Sequence, residues 1–246
     1  MRVAVISDIH ANLAAFTAVL NAASTEVDEW WCLGDLVGYG PDPEDCVDLA
    51  RRTCRIILAG NHDLAACGKM DVSDFSHHAR KAMEWTWNHI SVESKAYLAT
   101  LPTYQRYNGV LLSHGSPRNP VWEYIMSESD ALDAFRDVSF THCFFGHSHL
   151  PSAFILKKSL GKSTIQVFYG EGNKLIDTSA GSNRYLLNPG SVGFPRDAQD
   201  AHGSDTLDAA IARYALYDTD MKQWSFRRIH YDMRETAERM YSFGLW

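Results

Sequence analysis

Short, unbroken apolar runs, each closed by a polar turn, recur through the first 150 residues. Val3-Ala4-Val5-Ile6, Trp30-Trp31-Cys32-Leu33, Arg55 to Ala59, Val110-Leu111-Leu112 and Cys143-Phe144-Phe145 are such runs. Their length and lack of alternation predict strands buried on both faces. Leu13, Phe16, Val19 and Leu20 recur at helical spacing behind Asn12, an N-cap residue. Cys46, Val47, Leu49 and Ala50 form the inner face of a second helix that starts at Asp42-Pro43. This β-α-β-α-β opening predicts a doubly wound sheet with its chemistry at the C-terminal ends of the strands. Ser73 to Leu101 reads as helical, its Phe75, Trp85, Trp87 and Tyr97 as packing, and Leu132 and Phe135 mark a further helix.

From Ala153 the texture changes to short strands separated by Gly, Asn and Asp: Ala153 to Leu156, Thr164 to Tyr169, Tyr185 to Leu187, Tyr214 to Tyr217 and Trp224 to Ile229. These predict a more antiparallel second sheet packed on the first. Arg196 to Ala212, with Gly203-Ser204-Asp205, reads as a mobile surface loop, and Glu235 to Phe243 as a closing helix. No repeat or linker divides the chain, so one domain over 1–246 is expected.

Composition narrows the function classes. With 246 residues, 46% of them apolar, the chain is long enough for one full core. A net charge of -7 offers no basic stripe for a nucleic-acid backbone. Five scattered cysteines without paired spacing, Cys32, Cys46, Cys54, Cys67 and Cys143, favour a reducing cytoplasm. The opening residues show no basic stretch followed by a long apolar one, and no stretch approaches the roughly 20 apolar residues of a membrane span, so neither secretion nor membrane insertion is expected. A homo-oligomer is left open.

The chemistry sits where the apolar runs stop. Successive strand ends carry Asp8 and His10, Asp35, Asn61 and His62, His114, then His147 and His149. Asp8 and His10, two apart, would point to the same side of an extended strand end. Four imidazoles, two carboxylates and an amide oxygen suit first-row divalent metals such as Mn, Fe, Co, Ni or Zn, and the lack of thiolates argues against a structural zinc site. Seven donors exceed what one catalytic ion with an open position uses. If Asp35 bridges two ions, each receives four protein contacts, and a centre of charge about +2 attracts phosphate inside an acidic protein.

Asp8-Ile9-His10, Gly34-Asp35, Gly60-Asn61-His62-Asp63, His114-Gly115 and Gly146-His147-Ser148-His149, in this order, resemble the motif set of the calcineurin-like metallophosphoesterases, in particular the small prokaryotic phosphodiesterase branch. The resemblance implies an α/β (α+β) fold, a four-layer α/β/β/α sandwich of two mixed sheets flanked by helices. It implies that Asp8, His10 and His149 bind one metal, that Asp35 bridges, and that Asn61, His114 and His147 bind the second. His62 resembles the family's non-ligand histidine, which contacts phosphate and protonates the leaving oxygen, with Asp63 placed to orient it. The implied reaction is hydrolysis of a phosphate ester, a phosphodiester first, by attack of metal-bound hydroxide; phosphomonoesters and dinucleotide polyphosphates are the alternatives.

One departure is local: Ser116 stands where much of the family has a second histidine. Arg118 is read either as a clamp on the substrate phosphate or as the partner of a surface carboxylate, and Arg196 as a more remote substrate contact. Trp122 and Tyr124 either stack a flat substrate group or pack beneath their own loop. Asn188-Pro189-Gly190-Ser191 is first a turn that can bring backbone to the site, and His202 a solvated loop histidine. Cys32 and Cys143 precede the turns and are not expected to ligate. Two other classes fit less well: a non-catalytic scaffold of this fold should have lost ligands, and a metal-dependent amidohydrolase would begin with a His-x-His strand end.

Overall fold

In β1 (Arg2–Ile6), Ala4 and Ile6 face one hydrophobic cluster while Val3 and Val5 face another. The computed structural model describes residues 1–159, 162–170, 174–196 and 210–245. After β1 come α1 (Leu13–Ala23), β2 (Glu29–Cys32), α2 (Pro43–Thr53), β3 (Ile56–Ile57), α3 (Asn61–Ala66), α4 (His77–His89) and α5 (Val92–Leu98). They are followed by β4 (Tyr104–Tyr107), β5 (Val110–Ser113), α6 (Glu128–Asp137), β6 (His142–Phe144), β7 (Ser152–Ser159) and β8 (Lys162–Tyr169). β9 (Leu175–Asp177), β10 (Arg184–Asn188), β11 (Ala210–Asp218), β12 (Gln223–Tyr231) and α7 (Arg234–Ser242) complete the described elements.

The strands form two six-stranded mixed sheets, ordered β3-β2-β1-β11-β12-β9 and β4-β5-β6-β10-β7-β8. Val3, Val5, Trp31 and Leu33 of the first sheet pack between the sheets on Val110, Leu112, Phe144 and Leu187 of the second. The outer face of the first sheet, with Ala4, Ile6 and Cys32, is covered by Phe16 and Val19 of α1 and by Cys46 and Val47 of α2. Leu111, Cys143 and Leu186 of the second are covered by Ala131, Ala134 and Phe135 of α6. Both sheets thus lie inside a four-layer α/β/β/α sandwich, and Asn12 caps α1 as expected, its Oδ1 accepting the Ala15 N–H at 3.0 Å.

The allocation of strands differs from the sequence expectation. β1, β2 and β3 are parallel neighbours in the first sheet, but β5 and β6 belong to the second. β11 returns to pair antiparallel with β1, with Ala4 opposite Leu216, and β10 enters the second sheet parallel to β6. Hydrophobic pattern reports that a strand is buried, not which neighbour it pairs with, so a division into a first and a second sheet by sequence order failed. The β4 strand was missed because it alternates Tyr, Gln, Arg and Tyr at an edge; its signal was Asn108-Gly109, a two-residue turn with φ of 48° and 80°. Ala210 to Ala212 lie in β11 and not in a loop, while 197–209, with His202 and Gly203-Ser204-Asp205, fall outside the described residues.

Candidate metal centre

Three of the five strand-end motifs leave their strands through a left-handed turn. Asp8, His10, Ala11, Asp35, Tyr39, His147 and His149 all have φ between 52° and 63°, a left-handed conformation shared elsewhere among the described residues only by Asn108 and Lys222 outside glycine. Such geometry costs about 1–3 kcal/mol per residue and persists only where the surroundings enforce it. Asp8 and His10 are therefore not side by side on an extended strand end; the chain coils there and turns both inward. The enforcement is visible: Asp8 N–H donates to Gly34 O at 2.9 Å, and His10 N–H to Asp35 O at 3.0 Å. From the other side, Val192 N–H donates to Ser7 O and Gly193 N–H to Asp8 O, both at 3.0 Å, and Ser191 Oγ donates to Asp8 O at 2.7 Å. The turn after Asn188 thus braces the site, and Asn188 Nδ2 itself donates to Gly146 O at 2.8 Å.

The side chains from both sheets meet in one buried cluster. His10 Nε2 and His149 Nε2 lie 3.0 Å apart, and His149 Nε2 is 3.3 Å from Asp8 Oδ1. His114 Nε2 lies 3.1 Å from Asn61 Oδ1 and 3.4 Å from Asp35 Oδ2, which is 3.7 Å from His10 Nε2. Asp8, His10 and His149 form one group of potential ligands, Asp35, His114 and His147 a second, with ligand atoms of each group within 4.8 Å of one another; His10, Asp35 and His62 form a third group by the same measure.

Backbone carbonyls fix the outward nitrogen of each ring. His10, His114 and His149 donate from Nδ1 to Val37 O at 3.2 Å, Leu33 O at 3.0 Å and Phe194 O at 2.6 Å. His147 donates from Nε2 to Trp122 O at 3.1 Å, so its Nδ1 is the inward atom. This is the outer-shell arrangement that orients histidines toward a metal. With both rings neutral it also turns the bare lone pairs of His10 and His149 at each other across 3.0 Å, a contact that a shared metal cation relieves. Asp8 Oδ1 and Asp35 Oδ2 are buried without any hydrogen-bond partner, a costly state for a carboxylate oxygen unless a cation meets it. Burial pushes His10 well below the usual histidine range and His147 down to about 3. At His114, burial is overcome by the charges of Asp35 and Asp8, which lift it to about 9. The donors therefore fit divalent metal.

His62 and Asp63 do not behave as a pair. Asp63 accepts four backbone N–H groups, from Asp35 and Gly60 on Oδ2 at 2.8 and 3.0 Å and from Leu36 and Val37 on Oδ1 at 2.9 and 3.2 Å. All of its capacity goes into holding the Asp35 loop against α3, so the expected orientation of His62 by Asp63 is corrected. Burial and the charge of Asp35 push the Asp63 pKa up, while four converging donors suit its ionised form. His62 instead places Nδ1 3.1 Å from Met83 Sδ, and burial lowers it to about 4.

The two arginines separate. Arg118 lies 3.3 Å from Asp133, 3.4 Å from Asp137 and 3.6 Å from Glu123, an acidic set that takes up its charge. Arg196 lies 5.9 Å over the Tyr124 ring, and Tyr124 stacks on His147 at 3.9 Å. Ser116 hydrogen-bonds Glu123 within its own loop. Sequence reasoning missed the rest of the aromatic rim: Tyr39 stacks on Phe194 at 4.7 Å and sits 4.8 Å from both His10 and His62, while Phe75 lies 5.0 Å from His62 and 5.3 Å from Trp122. Only Tyr39, inside the Gly34 to Gly40 loop, carried a signal of position.

The family model of the calcineurin-like phosphoesterases matches residues 1–151, a span that holds all seven donors and His62. The chain belongs to the calcineurin-like phosphoesterases. It is 33% identical over 245 residues to an uncharacterised protein of Methanocaldococcus jannaschii, covering 97% of this chain and 91% of that one. The crystal structure of a metallophosphoesterase from Sphaerobacter thermophilus superposes with a TM-score of 0.82 at 37% identity, over 100% of this chain and 95% of the other. A hypothetical protein from Pyrococcus horikoshii shares the fold, with a TM-score of 0.73 at 20% identity over 100% and 94% of the two chains. As a calcineurin-like phosphoesterase the protein is a hydrolase of phosphate esters, with buried Asp/His clusters suited to divalent metal. No helix among the described residues is long and apolar enough to cross a membrane.

Proposed function

We propose that this phosphoesterase is a dinuclear metal-dependent enzyme that cleaves phosphodiesters. The observation that carries the reading is the position of Asp35 Oδ2, partnerless and buried between His10 Nε2 at 3.7 Å and His114 Nε2 at 3.4 Å. Asp8, His10 and His149 would hold one ion, Asn61, His114 and His147 a second, and Asp35 both. Two divalent ions, manganese, iron, nickel or zinc, supply Lewis acidity toward a phosphoryl oxygen and a nucleophilic hydroxide at neutral pH.

The chain's own residues do the remainder. His62 belongs neither to the Asp8, His10 and His149 group nor to the Asp35, His114 and His147 group, though it lies close to His10 and Asp35, and it gives a proton to the departing oxygen as the P–O bond breaks. Tyr39, Phe194, Trp122 and Tyr124 wall the cluster with apolar surface and restrict water around it. Arg196, held over Tyr124, meets a non-bridging phosphate oxygen. With Arg118 committed to carboxylates, cationic help outside the metals is sparse among the described residues, which favours the single charge of a diester over a monoester dianion. The five free cysteines, three of them buried, support a cytoplasmic location.

The test is a panel of diesters, monoesters and dinucleotide polyphosphates assayed with Mn, Fe, Ni, Zn and Mg returned one at a time to metal-free protein. The reading expects diesters to have the highest kcat/KM with a transition metal. Preferred turnover of monoesters overturns the substrate class, and turnover by metal-free protein overturns the metal dependence.

A further inference from the structure

His62 lies at the cluster without the carboxylate that would ordinarily hold a catalytic imidazole. Asp63, its neighbour, is used up by four backbone N–H groups. On the Nδ1 side stands Gly38, with φ of 89°, where any Cβ would run into the His62 ring. Tyr39, His10 and Phe75 surround the ring with aromatic carbon at centroid distances of 4.8, 4.8 and 5.0 Å. The hydrogen-bond partner left for Nδ1 is Met83 Sδ at 3.1 Å, from a side chain that is itself buried on α4.

We propose that Met83 is the positioning residue of His62: its thioether accepts the Nδ1–H hydrogen bond and leaves Nε2 as the nitrogen that exchanges a proton with the substrate. The inference rests on the reading of His62 as proton donor. A thioether is a weak acceptor that holds no proton, unlike a carboxylate. It sets the tautomer without stabilising the charge of an imidazolium. In the step itself the ring, first protonated on Nε2 from solvent to an imidazolium, loses that Nε2–H proton as an O–H bond forms on the departing alkoxide and the P–O bond breaks. The neutral ring then retains its proton on Nδ1, the form that the sulfur is placed to receive.

Three proteins test this: wild type, Met83→Leu, and Met83→Gln, whose amide oxygen restores an acceptor at similar reach. Met83 borders a cleft of about 510 Å3 shared with Met70, Val72 and Trp87, which gives the replacements room. Nitrogen NMR of histidine-labelled, metal-free protein reads the tautomer without turnover. Wild type is expected to show His62 protonated on Nδ1, Met83→Leu to lose that single form, and Met83→Gln to regain it. In the metal-loaded enzymes, Met83→Leu should lower kcat roughly tenfold on a diester with a poor leaving group, a fraction of what general acid catalysis contributes. KM, metal content and turnover of an activated aryl diester should stay as in wild type. A Met83→Leu protein that keeps the wild-type His62 tautomer overturns the inference. A tautomer that changes while leaving-group dependence does not, with His62→Ala equally flat, leaves the Met83 contact standing and overturns His62 as the acid.

Discussion

Asp35 accepts the His62 backbone N–H on Oδ1 at 2.9 Å and turns Oδ2, without a partner, into the cluster. One carboxylate therefore anchors the first turn of α3 and stands between the two ligand groups. Gly60 makes this approach feasible, since a Cβ there would collide with Asp35 Oδ1.

Asp35→Asn keeps the shape and removes the charge. It should strip most of the metal and lower kcat more than roughly 100-fold, beyond the effect of losing an outer-shell partner. Metal analysis of the purified variant, with steady-state rates, checks this. A variant with wild-type metal content and rate would contradict the shared position of Asp35.

His62→Ala should retain metal and lose about 10²–10⁴ in rate, most steeply for poor leaving groups. A series of aryl diesters graded by leaving-group acidity reads the difference. Equal loss along the series would remove the proton-donor role.

Asp63→Ala should act on stability before it acts on chemistry. It leaves four buried N–H groups of the Asp35 loop and α3 without their acceptor, at roughly 1–3 kcal/mol for each group that finds no water. Urea unfolding of metal-free protein should show a loss of about 3 kcal/mol or more. A loss below about 1 kcal/mol would mean that the loop is held by something other than Asp63.

The two arginines should part company. Arg118→Ala should leave kcat/KM within about twofold, because its ion pairs are partly exposed and contribute little. Arg196→Ala should raise KM several-fold by removing a charge-assisted contact to phosphate. Steady-state kinetics with one diester decides both, and the reverse ranking would return Arg118 to the site.

The membership of the buried cluster was legible in the sequence because each of these side chains is a polar residue stationed where an apolar run stops. The alternation that sends Val3 and Ala4 to opposite faces was likewise readable as double-sided burial. What pattern could not give was partnership. Leu216 beside Ala4 and Leu186 beside Cys143 are pairings across more than 40 residues of chain, and nothing local records them. The same limit explains Asp63: adjacency to His62 suggested a dyad, whereas α3 turns the two side chains apart, one to four backbone amides and one to Met83. Part of the aromatic rim was missed for a related reason, since Phe75 reads as packing and Phe194 carries no local signal until the fold brings both to the cluster.

A dinuclear centre requires the Asp/His cluster to take two ions. Metal-free protein titrated with manganese or zinc, with bound metal measured by calorimetry and elemental analysis, should take up two ions per chain, and hydrolysis of a diester should appear with them. Saturation at one ion with full activity, or activity in protein that binds none, would contradict it.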